Sequence, residues 1–261
     1  MNRIEVAGPA EAAGYARERE RGALVVALPS VMEGVLSAVR RHGTLYDAAA
    51  AEPGARAYTG RGAAWRVPRP DGAWLVRHYR RGGAVALVLR DEYLRAGEPR
   101  PLRELHASIA ARARGVATPE VVAAILYLSG PLYRADLATR FVEGSRDLAA
   151  VTLGDARADA DGRASAWHAA GALLRMAFDA GVEHADLNLR NILIAGDAHH
   201  PRALLVDLDR AVVHDHTVSD DVRSAMLARL HRSRLKLETR TGHQTGSSEL
   251  AALAAGLAGT S

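Results

Sequence analysis

The sequence predicts an α+β protein in which a small β-rich lobe precedes a larger α-rich lobe. Between residues 57 and 142, apolar segments with alternating patterns are separated by turn residues, as in an antiparallel sheet. After residue 165, apolar residues recur at helical spacing around a short polar loop and two brief strand-like runs. Because strands come first and helices mostly follow, we expect the two kinds of element to form separate lobes.

The composition is that of a folded globular chain. Its 261 residues are 48% hydrophobic and 25% charged, with a net charge of +4, which excludes disordered and fibrous classes. The absence of cysteine excludes disulfides, cysteine-ligated zinc and a cysteine nucleophile. No apolar run reaches the ~18 residues of a membrane span, and the N-terminus lacks the apolar stretch of a secretory signal. We therefore expect a cytoplasmic protein.

Four segments are predicted along the chain, all parts of one folded unit. Residues 1–54 form an N-terminal extension that packs on the first lobe, and residues 55–142 form that lobe. Residues 143–240 form the second lobe. Residues 241–261 are rich in Gly, Ser, Ala and Thr and are predicted to be a flexible tail.

Turn and capping residues predict the elements of the first half. Ser30 follows Pro29 and is the expected N-cap of an amphipathic helix. The sequence Pro70-Asp71-Gly72 predicts a turn between two strands, and Gly115 predicts the end of a helix. The predicted elements are, in order, a helix after Ser30, strands between 57 and 79, a helix over 101–114, and strands over 121–130 and 132–142.

A polar linker over 152–163 separates these elements from the second half. Ser165 is the expected N-cap of a helix over 166–180, in which apolar residues recur every three or four positions. Two strands follow, over 191–196 and 203–209, and then an arginine-rich helix over about 218–240.

Three polar residues stand beside the last two predicted strands and point to phosphoryl transfer. Asp186 is followed five residues later by Asn191, and Asp207 ends the second strand. This is the spacing of the kinase pattern, in which the first acid orients the attacking hydroxyl and the other two residues hold Mg²⁺ on nucleotide phosphates. Mg²⁺ prefers oxygen ligands and takes others from phosphate. We predict Asp186 and Asn188 as catalytic residues and Asn191 and Asp207 as metal ligands.

Two neighbours of these residues have other interpretations. His184 is expected to hydrogen-bond the backbone around the loop rather than to transfer protons. Asp209 is expected to cap or to pair locally with Arg210, although it could replace Asp207 as the metal ligand.

Residues in the first lobe are predicted to bind the nucleotide. Gly60, Arg61 and Gly62 lie between strands, where kinases fold a glycine-rich loop over the phosphates. Arg77 is the best cation on the next strand, and Glu104 on the following helix is its natural partner. The alternative interpretation of this pair is a surface salt bridge.

Two further motifs each have two alternative interpretations. The basic run from Arg77 to Gly83 is either a solvated face or an anion-contacting loop. The segment Tyr133–Asp136 has either a core or hinge role or a role in substrate contact.

Together these motifs resemble the 3-deoxy-D-manno-octulosonic acid (Kdo) kinases and the wider lipopolysaccharide core kinases, which share a bilobal protein-kinase-like fold. The resemblance runs from about Tyr58 to about Lys236 and is carried by TGRG (59–62), LVRHYRRGG (75–83), DEYLRAGEPRPLRE (91–104), YRADLATRFV (133–142), HADLNLRNILI (184–194), LLVDLDRA (204–211) and MLARLHRSRLK (226–236). Leu208 departs from the more usual Phe at a packing position. Arg77 stands where a generic kinase has Lys, as is common in this family.

The resemblance implies ATP and Mg²⁺ as cofactors and transfer of the γ-phosphate to the 4-hydroxyl of Kdo on a lipid A precursor. It implies a peripheral protein at the cytoplasmic face of the bacterial inner membrane, with an anionic membrane surface as partner. The basic helix over 222–240 either packs its apolar stripe on the second lobe or meets anionic head groups. No A-P-E motif follows Asp207, which favours a small or lipid-linked acceptor over a protein.

Other functions remain as alternatives. One is an atypical kinase acting on a different sugar, small molecule or protein, and another is a lipid-binding pseudokinase without turnover. A nucleic-acid partner is not expected, because the interleaving of aromatic and basic residues used by single-strand platforms is not evident. The sequence predicts no obligate protein partner.

Overall fold

The computed structural model of the chain describes residues 9–59, 63–80, 91–154, 157–197 and 200–260. The chain divides into two compact units, one of residues 1–109 and 120–141 and the other of residues 110–119 and 142–261. The first unit is rich in strands and the second in helices, as the α+β class requires. The two units are nearly equal in length, whereas the sequence predicted a smaller first lobe.

An eight-stranded antiparallel sheet is the framework of the first unit. Its strands are β1 (Ala16–Glu20), β2 (Ala23–Ala27), β3 (Arg56–Thr59), β4 (Ala63–Arg69), β5 (Gly72–His78), β6 (Tyr93–Leu94), β7 (Val121–Ser129) and β8 (Leu132–Arg140). The order across the sheet is β1-β2-β7-β8-β5-β4-β3, and β6 pairs with β8. The strands predicted around the turn at 70–72 form the antiparallel pair β4–β5.

The described strands before residue 55 belong to this sheet instead of packing on it as an extension. β1 and β2 form a hairpin, and β2 pairs with β7 over Ala23–Ala27. Val25 and Val26 of β2 are buried on the two faces of the sheet, in different parts of the core. The predicted boundary at 54/55 is corrected because a short apolar run can satisfy its backbone groups in the core by pairing with a neighbouring strand.

In the described residues of the first unit, four helices accompany the sheet: α1 (Pro9–Ala12), α2 (Met32–His42), α3 (Leu45–Ala51) and α4 (Arg100–Ala113). The last turn of α4 belongs to the second unit. Val35, Leu36 and Val39 of α2 are buried in the core on one face of the sheet. The predicted cap Ser30 is wrong, because it lies inside a 3₁₀ turn (Pro29–Val31) and α2 has no side-chain cap. Gly115 follows α4 with a φ of 81°, in agreement with the predicted helix end.

The second unit combines four helices with short strands. The helices are α5 (Leu148–Leu153), α6 (Ala160–Asp179), α7 (Asp220–Thr241) and α8 (Ser247–Ala258), and the strands are β9 (Arg146–Asp147), β10 (Val182–His184), β11 (Ile192–Ala195), β12 (Arg202–Leu205) and β13 (Ala211–Val213). β10 pairs with β13, and β11 pairs with both β12 and β9. The cap of α6 is Asp159, whose side chain accepts from the Gly162 N–H at 2.8 Å. The predicted cap Ser165 is wrong, since it lies inside the helix.

The end of the chain forms α8, which corrects the prediction of a flexible tail over 241–261. α8 packs along α6, and two glycines face each other where the helices meet. A Cβ added at Gly171 would overlap the Leu253 carbonyl oxygen, and one at Gly256 would overlap the His168 carbonyl oxygen. The small residues that suggested a loose tail therefore allow close helix packing instead.

Candidate active site

The polar loop that carries the predicted chemistry lies in the second unit, between β10 and β11. A one-turn 3₁₀ helix (Leu189–Asn191) leads from the loop directly into β11. Leu187 and Leu189 are buried and anchor the loop in the core. The side chain of Asp186, in contrast, is 48% exposed. The loop thus exposes the Asp186 carboxylate to solvent, while its buried leucines hold the backbone in place.

Two asparagines fix the backbone at Asp186. The Nδ2 groups of Asn188 and Asn191 donate to the Asp186 carbonyl oxygen at 2.7 and 3.0 Å. The Oδ1 atom of Asn188 accepts from the Arg190 N–H at 3.0 Å, which caps the 3₁₀ helix. Both ends of the Asn188 amide are therefore used inside the loop. The structure gives Asn188 a positioning role, and its direct contact with substrate stays a prediction.

His184 has the backbone role that the sequence predicted. It is buried, with Nδ1 accepting from the Asp186 N–H at 3.2 Å. Its Nε2 atom lies 3.0 Å from the Val206 carbonyl oxygen. The Nε2–H tautomer satisfies both contacts, since one nitrogen must then accept and the other donate. His184 thereby ties the loop of Asp186 to the segment that leads to Asp207.

Asn191 and Asp207 lie at the same end of one hairpin. In the register of β11 with β12, Ile192 is opposite Leu205, so the residues just outside this pair are neighbours. The Val206 N–H donates to the Asn191 carbonyl oxygen at 3.0 Å and extends the ladder by one bond. The two predicted metal ligands are thus brought together by strand pairing.

Asp207 has an unusual backbone conformation. Its φ of 65° and ψ of 56° are left-handed, and among the described non-glycine residues only Arg21 shares a positive φ. Such conformations carry strain and concentrate at functional sites. The next acid, Asp209, is only 3% exposed. Asp207 is therefore better placed than Asp209 to meet a ligand from solvent.

The residues at this hairpin end fit a magnesium ion. The amide nitrogen of Asn191 is used in a hydrogen bond, which leaves Oδ1 as the atom that can bind a cation. Together with the Asp207 carboxylate, this provides two oxygen ligands, and Mg²⁺ commonly takes the rest from water and phosphate. In the part of the chain that the structure describes, no three His, Cys, Asp or Glu side chains form a metal cluster.

Arg210 is a site residue whose partner the sequence did not reveal. Its Nη1 atom lies 2.7 Å from Oδ2 of Asp186. The pairing follows from the register of β10 with β13, where His184 is opposite Ala211. The local contact expected between Asp209 and Arg210 gave no indication of this pair, because the pair depends on two strands that are distant in sequence.

In the first unit, Arg77 of β5 and Glu104 of α4 form the predicted ion pair through Nη2 and Oε1. Glu104 is 5% exposed and also accepts from the Tyr79 hydroxyl at 2.5 Å. The guanidinium of Arg77 lies 5.0 Å from the centre of the Tyr79 ring. The interpretation as a surface salt bridge is therefore wrong. Glu104 orients Arg77, and the role of both in nucleotide binding stays a prediction.

Asp136 belongs to a buried network in the first unit, which gives this residue of the segment Tyr133–Asp136 a core role. Asp136 is fully buried and accepts from the Tyr127 hydroxyl at 2.7 Å and from the Tyr46 N–H at 2.8 Å. His78 Nδ1 lies 2.6 Å from its other oxygen. Burial lowers the pKa of His78, but Asp136 and Asp91 outweigh this effect, so the pKa lies above its usual value. The network joins three strands and α3.

Some predicted site residues lie outside the described residues. These are Gly60, Arg61 and Gly62 and the end of the basic run, including Gly82 and Gly83. Their roles in nucleotide or anion binding stay predictions.

Comparison with solved structures identifies the fold. A structure described as "WaaP in complex with acyl carrier protein" superposes with a TM-score of 0.55, covering 94% of this chain and 90% of that chain at 17% identity. This likeness shows the fold, which is protein-kinase-like.

Comparison of sequences identifies the family. The profile of the lipopolysaccharide kinase (Kdo/WaaP) family matches residues 52–249. The 3-deoxy-D-manno-octulosonic acid kinase of Stenotrophomonas maltophilia (strain K279a) is 37% identical over 180 residues, 68% of each chain. The enzyme of the same name from Xanthomonas campestris pv. campestris (strain B100) is 39% identical over 180 residues, again 68% of each chain. The chain belongs to the lipopolysaccharide kinase (Kdo/WaaP) family and is a phosphotransferase.

Proposed function

We propose that the protein transfers the γ-phosphate of ATP to the 4-hydroxyl of Kdo on a lipid A precursor, in lipopolysaccharide core biosynthesis. The names of the relatives support Kdo as the acceptor. The observation that carries the proposal is the arrangement of Asp186, Asn191 and Asp207 on one loop and one hairpin, tied together by His184 and the Val206 N–H. An exposed acid beside two oxygen ligands is what phosphoryl transfer to an alcohol needs.

Each of these residues has a distinct task in the proposed reaction. Asp186 accepts the proton of the acceptor hydroxyl as its oxygen bonds to the γ-phosphorus and the bond to ADP breaks. Asn191 and Asp207 would hold Mg²⁺, which would neutralise charge on the phosphates when bound. Arg77, oriented by Glu104, is the residue that we propose binds a nucleotide phosphate, and Gly60, Arg61 and Gly62 stay predicted nucleotide-binding residues.

Mass spectrometry of the acceptor tests the proposal. The purified protein is incubated with ATP, Mg²⁺ and a lipid A precursor that bears Kdo, and we expect a product heavier by one phosphoryl group. Fragmentation should place the group on the Kdo residue at oxygen 4. A product on another sugar, or ADP release without phosphorylated lipid, would contradict the proposed acceptor. Absence of any acceptor-dependent ADP release would favour the pseudokinase.

Replacing Asp207 with asparagine should weaken Mg²⁺-dependent nucleotide binding by tenfold or more, because a carboxylate holds a hard cation better than an amide. Asparagine tolerates the left-handed backbone of residue 207, so the change removes charge without adding strain. Asn191→Ala should have a smaller effect. Calorimetric titration with ATP, with and without Mg²⁺, measures both. Asp209→Asn is the comparison, and if it alone abolished the Mg²⁺ dependence, Asp209 would be the ligand.

We propose that the protein works as a peripheral protein at the cytoplasmic face of the inner membrane. In the described part of the chain no helix is long and apolar enough to cross a bilayer. Met226, Leu230 and Leu237 of α7 are buried, so its apolar stripe packs within the second unit. Arg232, Leu235 and Lys236 of α7 are exposed, and Arg232 precedes the other two by three and four residues, which places it on the same face as each of them. This face supports contact with anionic head groups.

The double change Arg232→Glu and Lys236→Glu should reduce sedimentation with anionic vesicles. Each basic residue near such a surface contributes about 1 kcal/mol, so loss of two predicts roughly thirtyfold weaker binding at low salt. The apparent KM for lipid-linked acceptor should rise, while that for a soluble Kdo glycoside should stay within about twofold, because soluble substrate needs no surface. The matched control reverses two exposed arginines elsewhere, Arg19 and Arg202. Equal losses in both double variants would show a general charge effect and contradict this face as the docking site.

A further inference from the structure

We propose that Arg210 binds the carboxylate of the acceptor sugar and so selects an acidic sugar for the reaction at Asp186. The inference rests on the proposed acceptor and adds a specificity-determining residue to its site. Arg210 Nη1 is 2.7 Å from Asp186 Oδ2, and the two side chains are 58% and 48% exposed.

The ion pair itself contributes little to folding. Exposed ion pairs stabilise a fold only slightly, because water screens the charges and long side chains lose entropy. The fold does not need Arg210 to hold the Asp186 loop in place, since Asn188, Asn191 and His184 already do so. The position of the cation is therefore better explained by a bound anion than by stability.

The chemistry of the acceptor supplies such an anion at the required place. In a 3-deoxyoctulosonic acid, carbon 1 is a carboxylate, carbon 3 bears no hydroxyl and carbon 4 carries one. The carboxylate and the 4-hydroxyl are thus attached to carbons separated by a single methylene, and standard bond lengths place them within about 6 Å of each other. When Asp186 holds the 4-hydroxyl, the carbon-1 carboxylate of the acceptor therefore lies within reach of the Arg210 guanidinium.

The guanidinium has the donors for both contacts. It presents five N–H groups in a planar fork, and the bond from Nη1 to Asp186 uses one of them. The fork matches carboxylate geometry better than a lysine ammonium does. Arg210 can therefore bind the acceptor acid while it still touches the residue that accepts the hydroxyl proton.

The test compares a soluble Kdo glycoside with its carbon-1 carboxamide, at saturating ATP. With the unaltered protein, the carboxamide should show a kcat/KM lower by about tenfold to a hundredfold, the range expected when a charged hydrogen-bond partner is lost. Arg210→Gln should lose as much on the acid, mostly through KM, and should lose less than about threefold on the carboxamide. Arg210→Lys should recover part of the loss on the acid. Arg202→Gln, on an exposed arginine of β12, is the matched control and should change neither acceptor.

The outcomes separate this inference from the proposed function. Equal losses of Arg210→Gln on both acceptors, through kcat, would show that Arg210 only positions Asp186 and would overturn the inference. The unaltered protein using acid and amide equally well would overturn it without any variant. If the unaltered protein phosphorylates neither glycoside and no Kdo-bearing lipid, the proposed function itself fails.

Discussion

Asp186→Ala is expected to lower phosphoryl transfer by about a thousandfold, within the range that a positioned proton acceptor contributes. The change leaves the backbone contacts of the loop in place, because Asn188 and Asn191 donate to the carbonyl oxygen of residue 186 and not to its side chain. Binding of ATP with Mg²⁺ should therefore stay within about threefold of the unaltered protein, less than 1 kcal/mol. Steady-state ADP release with acceptor measures the first effect, and calorimetry measures the second.

A matched variant tests whether the loss is specific to this carboxylate. Asp186→Asn and Asp221→Asn make the same chemical change, but Asp221 is an exposed residue in the first turn of α7. Only the change at 186 should reduce turnover. Turnover of Asp186→Ala within about tenfold of the unaltered protein, a barrier change of only about 1.4 kcal/mol, would rule out its assignment as proton acceptor.

Of the changes predicted here, Gly171→Ala should alter the free energy of unfolding most. It should lower this free energy, whereas a change from glycine to alanine inside a helix usually raises it. Alanine inside a helix normally stabilises by up to about 1 kcal/mol relative to glycine. At residue 171 the new Cβ would overlap the Leu253 carbonyl oxygen of α8, so the helices must separate. Overpacking of this kind costs about 1–3 kcal/mol. Urea denaturation measures the loss, and hydrogen exchange should locate it in α8.

Gly34→Ala is the control for this prediction. Gly34 also lies inside a helix, α2, but no atom comes within 4 Å of a Cβ built there. This change should raise the free energy of unfolding by about 0.5–1 kcal/mol. Stabilisation by Gly171→Ala to the same extent would contradict the close packing of α8 on α6.

The residues of the candidate site were largely predictable because the kinase pattern consists of particular residue types at short, fixed intervals along the chain. The interval from Asp186 to Asn191 fits one loop and one helical turn, and Asp207 follows the next strand. The pair of Arg77 with Glu104 was also predictable, because the kinase pattern pairs a cation on this strand with a Glu on the following helix. The partner of Arg210 was not predictable, because it depends on the pairing of β10 with β13.

By itself the sequence determined the α+β class, the strand-then-helix order and the residues of the candidate catalytic loop, since these depend on periodicity and on short-range spacing. Only the tertiary structure decided the role of the two ends of the chain. The apolar run over 23–27 pairs locally only with the charged strand β1, and its pairing with the distant strand β7 on the other side places it inside the sheet. The small residues of α8 give only a weak indication of a helix. They pack closely because α6, far away in the sequence, has a glycine at the point of contact. Burial and close packing depend on contacts between two segments, so they cannot be predicted from the residue spacing within one segment.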